Sequence, residues 1–230
     1  LIVYEKKVVL STPTAWILIL ISFVFCFIYA IIMEIVLSCN YKDIDQLQVL
    51  LVFITSEVTR MPNYESITLR EDLHIRKIYS IHYFEYTNTY HFHGESHDFW
   101  EFLCVDKGEV TVTAGEKKLT LQQGQIIFHE PNEFHNVQAN GKIAPNLVVI
   151  SFSCDSSCMK QFRNLITTIS ETEKTFLAQI IREARHCIAT PLDNPFTKKM
   201  ERRTDSPFAS EQMIQLYLEL LLLSMLRRLN

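Results

Sequence analysis

Glycine and proline are scarce in this 230-residue chain, at 5 and 7 copies, and no low-complexity run or internal repeat is visible. A repeat array or a long flexible linker is therefore excluded. So is a cysteine framework. The 6 cysteines are scattered, and none has the paired C-x-x-C spacing of a zinc site or redox motif. They read as reduced thiols, some of them buried as small hydrophobes. A basic excess is also missing: 22 Lys and Arg stand against 26 Asp and Glu, for a net charge of −4. With no cationic field to hold phosphates, these residues alone do not make a DNA-binding module. The length suffices for one good core with appendages, or for two small domains.

What is present is short-period β patterning from Ile78 onward. Ser80–Tyr86 (SIHYFEY) is rich in β-formers, and Phe99–Val105 reads as a strand that ends in an Asp106–Lys107–Gly108 turn. In Glu109–Thr113, Val110 and Val112 face one way while Thr111 and Thr113 face the other. Ala114–Gly115 turns the chain into Lys118–Leu121, Gly124 opens Gln125–His129, and Pro131 closes it. Leu147–Phe152 (LVVISF) reads as a fully buried strand. Short strands at close, regular spacing predict a sandwich or barrel.

The chemistry concentrates between Gly94 and His135. Residues 97, 99, 101, 103 and 105 share one strand face by two-residue alternation. If that face looks inward, His97 and Glu101 enter a cavity beside Phe99, Leu103 and Val105, and His135 arrives from an opposing strand. Such a set suits a polar organic ligand in an apolar pocket. A second reading is an internal hydrogen-bonded brace, and a third is that His97, Glu101 and His135 together could hold Fe(II), Mn or Zn. Effector contact without a cofactor is the expectation. In the first strand either His82 or Tyr83 faces the cavity. Trp100, out of phase with Glu101, is expected to pack outside the barrel against a helix. His91 and His93 in YHFHGE read as rim or surface residues.

Ala15 to Met33 runs nineteen residues without a charge, about 28 Å as a helix, close to the hydrocarbon thickness of a bilayer. A transmembrane helix over 15–37 is one reading. Lys6 and Lys7 before it would place the following domain outside the cytoplasm, an awkward setting for unpaired thiols. The other reading takes residues 1–60 as translated upstream sequence, with Met61 as the natural start, and is the one expected.

After Phe152 the period lengthens toward 3.6. Ser157–Ile166 reads as a short helix and Glu171–Ile188 as a longer amphipathic one, with Phe176, Ile180, Ile181 and Ala184 on one stripe. Thr190–Asp205, with its KKMERR run, reads as a solvated loop. Ser206–Pro207 offers an N-cap with proline at the first helical position. The helix that follows, 207–229, carries leucines on more than one stripe and needs cover from the barrel, a partner subunit, or both.

The ordered segments HYFEY, GESHDFWEFLCVDKGEV, PNEFH and PFASEQMIQLYLELLL, from about residue 78 to 229, resemble the N-terminal sensing domain of AraC-type bacterial transcription regulators. The resemblance implies a mainly β, cupin-like double-stranded barrel (jelly roll) followed by two or three α-helices. It implies a barrel at 61–155 and a helical dimerisation and linker region at 156–230, after a hydrophobic extension at 1–60. Metal sites in cupins use His-x-His, a Glu a few residues on, a Gly after six intervening residues and a last His on a later strand. His97, Glu101 and Gly108 keep that spacing, but Glu95 stands in place of the first His. His135 follows Pro131, with Glu133 where a Gly is usual.

Three functions follow as expectations. The first is the effector-sensing and dimerisation part of a cytoplasmic regulator, with no enzymatic activity. A small polar effector such as a sugar would touch Glu95, His97, Phe99, Glu101, His135 and His82. Two copies would pair through the helix at 207–229, and DNA would be read only by a C-terminal domain beyond this sequence. The second is a metal-dependent cupin isomerase or dioxygenase. The third is a membrane-anchored receptor, which requires 15–37 to be genuine.

Overall fold

The computed structural model describes residues 64–229, together with positions 26, 27, 29–31, 33, 34 and 52. The chain divides into two units, Leu1–Thr68 and Leu69–Asn230. In the first, the described positions between 26 and 52 are helical and exposed, and residues 64–68 have no regular structure. Most of the expected 15–37 helix and the Met61 start lie outside the described residues. Among the described residues, no helix is long and apolar enough to cross a membrane.

The second unit is mostly antiparallel β. Its strands are β1 (Lys77–Glu85), β2 (His91–Glu95), β3 (Trp100–Lys107), β4 (Glu109–Ala114), β5 (Lys117–Gln122), β6 (Gln125–His129), β7 (His135–Ala139), β8 (Asn146–Ser153) and β9 (Ile166–Thr168). They form a five-stranded sheet in the order β1-β8-β3-β6-β9 and a four-stranded sheet in the order β2-β7-β4-β5. This is the expected cupin-like arrangement. Two α-helices complete it among the described residues of this unit, α1 (Glu171–Cys187) and α2 (Ser210–Leu229).

Strand alternation gives the large sheet two chemically different faces. In β3, Trp100, Phe102 and Cys104 join a hydrocarbon cluster, as do Ile81 of β1, Ile126 and Phe128 of β6, and Val148, Ile150 and Phe152 of β8. Ile180 and Ala184 of α1 and Leu218 and Leu221 of α2 cover that face. Trp100 thus packs outside the barrel against helices. The intervening residues Phe84, Leu103, Val105, Ile127, Leu147 and Val149 point the other way. They meet Val110, Val112, Leu121 and Val137 of the small sheet.

One end of the helix pair is firmly fixed. Ser170 and Glu173 form a reciprocal capping box at the start of α1. The fully buried Glu173 also receives Arg228 from the last turn of α2, at 3.1 Å. The two helices therefore run antiparallel. Arg228 Nη2 further donates to the Thr168 carbonyl, which ties α2 to β9.

Two helix expectations are corrected. Ser157–Ile166 is not one helix: a 3-10 segment covers Ser157–Phe162, and Asn164, at φ 54°, leaves the helical region. The β-branched residues after it then pair with β6, so the barrel sheet takes a strand from the segment expected to be helical. The Ser206–Pro207 start is also displaced. Ala209 is left-handed at φ 60°, so α2 begins at Ser210, and Phe208 before it is fully exposed.

Candidate functional site

The sheet registers place the polar residues in a single row. Across the large sheet, Ser80 pairs Ser151, Ser151 pairs Glu101, and Glu101 pairs His129. The next inward row on that face is His82, Val149, Leu103 and Ile127, and the one after it is Phe84, Leu147 and Val105. The small sheet repeats the gradient: Glu95, His135 and Ala114 form one row, and Phe92, Val137 and Val112 the next. Polarity therefore falls off in step along both sheets.

The polar ends of the two sheets line one cavity of about 420 Å³. Glu95, His97, Phe99, Glu101, His135 and His82 all reach it, together with His129, Ser151 and the aromatic residues Phe84, Tyr86, Tyr90 and Phe92. Of the His82/Tyr83 pair, His82 is the one inside. His91 and His93 stay exposed on β2, their rings edge to face at 4.7 Å.

Glu95 reaches the row through a bulge. The β2–β7 register shifts between Phe92 and Glu95, at Gly94. Gly94 has φ 106°, and a Cβ there would lie 2.7 Å from the His135 carbonyl oxygen. Only glycine suits that backbone and that approach.

Hydrogen bonds fix the imidazoles. His97 Nδ1 lies 3.0 Å from the Phe99 carbonyl, and His135 Nδ1 lies 3.0 Å from the Glu133 carbonyl. A carbonyl only accepts, so each Nδ1 carries a hydrogen and each ring turns Nε2 away from that carbonyl. Both Nε2 atoms turn toward Glu101, His97 at 3.5 Å and His135 at 3.3 Å. Neither is aligned for a hydrogen bond with a partner among the described residues. Ser151 Oγ donates to Glu101 Oε2 at 2.6 Å, so Ser80 donates to Ser151 at 2.8 Å. His129 sits 3.1 Å from Glu133 Oε2 and stacks on His135 at 4.4 Å.

Burial alone would raise the Glu101 pKa. The facing His135 and His97 and the Ser151 hydrogen bond outweigh it, and the carboxyl is held well below the usual range. Burial tends to lower the His135 pKa, yet the Glu101 carboxylate raises it overall. Burial wins at His129 and His82, whose pKa values fall.

The residues also fit the metal that cupins imply. Ligand atoms of Glu95, His97, Glu101 and His135 lie within 4.8 Å of one another. The two Nδ1–H···O=C bonds orient the rings as metal-ligating histidines are usually held.

A family model of the AraC-like ligand binding domain matches residues 77–216, more than half of the chain. The chain belongs to that family. Solved structures similar to this AraC-type domain include apo ToxT of Vibrio cholerae, 9% identical, over 64% of this chain and 55% of that one, with a TM-score of 0.41. The cupin domain of Cnp3 from Schizosaccharomyces pombe is 13% identical over 44% and 75% of the two chains, with a TM-score of 0.30. A cupin protein of Bacteroides fragilis is 18% identical over 40% and 86%, with a TM-score of 0.29. The chain spans about half the length of ToxT. No curated protein matches it in sequence.

Reasoning from sequence missed His129 and Ser151. Both flank Glu101 across the sheet, so only the register could reveal them. It also missed Tyr86 and Tyr90, whose rings stack at 3.4 Å.

Proposed function

We propose that the barrel binds a small polar metabolite, and that the chain is the effector-sensing and dimerising part of a cytoplasmic AraC-type transcription regulator. The cavity carries this reading: about 420 Å³ of space, polar at one end and aromatic below it, with its polar side chains held by fixed hydrogen bonds. Such preorganised polarity in an apolar pocket is what recognition of a small molecule requires. Contacts from Glu95, His97, Phe99, Glu101, His135 and His82 supply the specificity, and no catalysis is assigned.

A route from cavity to helix supports the sensing role. His82 Nδ1 donates to the Leu192 carbonyl at 3.2 Å, and Tyr83 N–H donates to the same oxygen at 3.0 Å. Pro195, Phe196, Thr197 and Lys198 of that loop line the cavity. The loop ends in a bridge between Ile188 and Arg202, and Arg202 pairs with Glu211 in the first turn of α2. Occupancy that favours one loop position would favour one setting of α2. Leu216 and Leu220 stand outward on α2 one turn apart, which suits pairing with a second copy. DNA is engaged through a reader domain attached to such a pair.

A thermal-shift screen of the full chain against polar metabolites tests the reading. At least one compound should raise the Tm of the wild type but not that of His97→Ala. If every hit survives that substitution, the cavity is not the sensor.

A metal-dependent cupin enzyme is the second reading, favoured by the convergence of Glu95, His97, Glu101 and His135 within 4.8 Å. Stoichiometric Fe, Mn or Zn in purified protein, lost in His97→Ala, would support it. A membrane-anchored receptor rests on 15–37 alone, and fractionation of the natural product tests it.

A further inference from the structure

The polar end of the cavity gathers two carboxylates and two imidazoles. Glu95 and Glu101 bring the carboxylates, and His97 and His135 turn Nε2 into the same space, each Nδ1–H being spent on a backbone carbonyl. His135 is only 4% exposed, and its Nε2 has no hydrogen-bond partner among the described residues. Ser151 already gives its proton to Glu101, so it has none left for a ligand. Among the lining residues the one Lys or Arg is Lys198, exposed on the mouth loop. Two carboxylates converge within 4.8 Å of the two ring nitrogens while the lysine stays out on the mouth loop, so the cluster favours a positive or N–H-rich group among them.

Next to this cluster the wall becomes aromatic. His82, Phe84, Tyr86 and Tyr90 stack in series, with centroids 4.7, 4.6 and 3.4 Å apart. Rings stacked in this way spend their faces on one another, and what they offer a ligand is apolar surface that covers its hydrocarbon part. A bare metal ion would leave most of the 420 Å³ and this aromatic wall without a role.

Building on the sensor reading, we infer that the effector is a primary amine whose ammonium group sits among Glu95, Glu101, His97 and His135. Its hydrocarbon or aryl portion lies along Phe84, Tyr86 and Tyr90. The three N–H donors of the ammonium match the Nε2 atoms of the two rings, when neutral, and a carboxylate oxygen. A sugar could satisfy the same acceptors through hydroxyls, but it would gain nothing from the two carboxylate charges.

Isothermal titration calorimetry on the full chain tests the inference with matched probes: butylamine and phenethylamine, butanol and phenethyl alcohol, hydrocinnamate, and Mn²⁺ or Zn²⁺ salts. An amine should bind about tenfold or more tighter than its alcohol, and hydrocinnamate should not bind. Glu95→Gln, a change at an exposed residue, should weaken the amine several-fold and the alcohol far less. Glu101→Gln should weaken it further, and circular dichroism on that variant separates lost binding from lost folding. Equal binding of alcohol and amine, or tighter binding of hydrocinnamate, overturns the amine class while the cavity survives as a sensor. Stoichiometric metal that excludes the amine overturns it in favour of an ion. If neither probes nor metals bind, the amine inference falls, and the metabolite screen with His97→Ala decides the sensor reading separately.

Discussion

Phe102 and Glu101 are neighbours on β3, yet they sit in opposite worlds. Phe102 is wholly buried between the large sheet and the helices, among Phe128 and Phe152. Glu101 faces the other sheet, with two histidines, a serine and an open cavity around it. The helix-facing side is close-packed hydrocarbon and serves stability. The inward side is close-packed only at its deeper rows, where Val105 and Leu147 meet the small sheet, and at Glu101 it gives way to polar groups and space. Parity thus sets the helix joint apart from the cavity face, and position along the strands sets the cavity apart from the inner core.

The strongest way to break that division is at Phe102. Phe102→Ala should cost about 3–5 kcal/mol in urea unfolding, while ligand affinity of the remaining folded protein stays near wild type. Glu101→Gln should show the reverse balance. It removes the charge that Ser151, His97 and His135 face, at about 1–3 kcal/mol of stability, and weakens cavity binding more than Glu95→Gln does. If both substitutions hit binding equally, the two faces are not independent.

Gly94→Ala probes the bulge. A left-handed backbone and a Cβ pressed on the His135 carbonyl should cost about 1–3 kcal/mol, and should shift the His135 resonances by NMR. A sound variant with unmoved His135 would show that the bulge does not place Glu95.

His82 sharpens the comparison through pH. Burial lowers its pKa from 6.5, so the unfolded chain binds its proton more readily than the folded one. Its contribution is complete above 6.5 and is lost as pH falls through the depressed folded value. His82→Phe should therefore flatten the acid side of the stability profile below 6.5, measured by denaturant midpoints. An unchanged slope would mean that the imidazole stays solvated.

The mildest change in stability belongs to the α2 surface. Leu216→Glu with Leu220→Glu should alter monomer stability by no more than about 0.5 kcal/mol. Sedimentation should nonetheless show a shift from dimer to monomer. A wild type that sediments as a monomer would remove the dimerisation role.

Much of this was legible in the sequence, for a physical reason. Period-two alternation is local, so the β3, β4, β6 and β8 strands and the parity of Trp100, Glu101, Val110 and Val112 follow from neighbouring residues. Glu101 was legible for the same cause, whereas His97 and Phe99, expected on that strand face, lie in the bend before β3 and reach the cavity from there, and His135 was legible from its place after Pro131. His129 and Ser151 were not, because cross-strand register is set by distant partners. Nor could local spacing foresee Asn164 and Ala209. Their left-handed backbones cut one helix short and delay the other, although helical periodicity runs through both.

The two-faced sheet has a consequence for descent. Ser80, Ser151, Glu101 and His129 line one face of the large sheet, while the hydrocarbon residues that meet the helices alternate with them on the other. A lineage carrying this scaffold can therefore vary the cavity at a handful of alternate sites and leave the joint with its helices unedited.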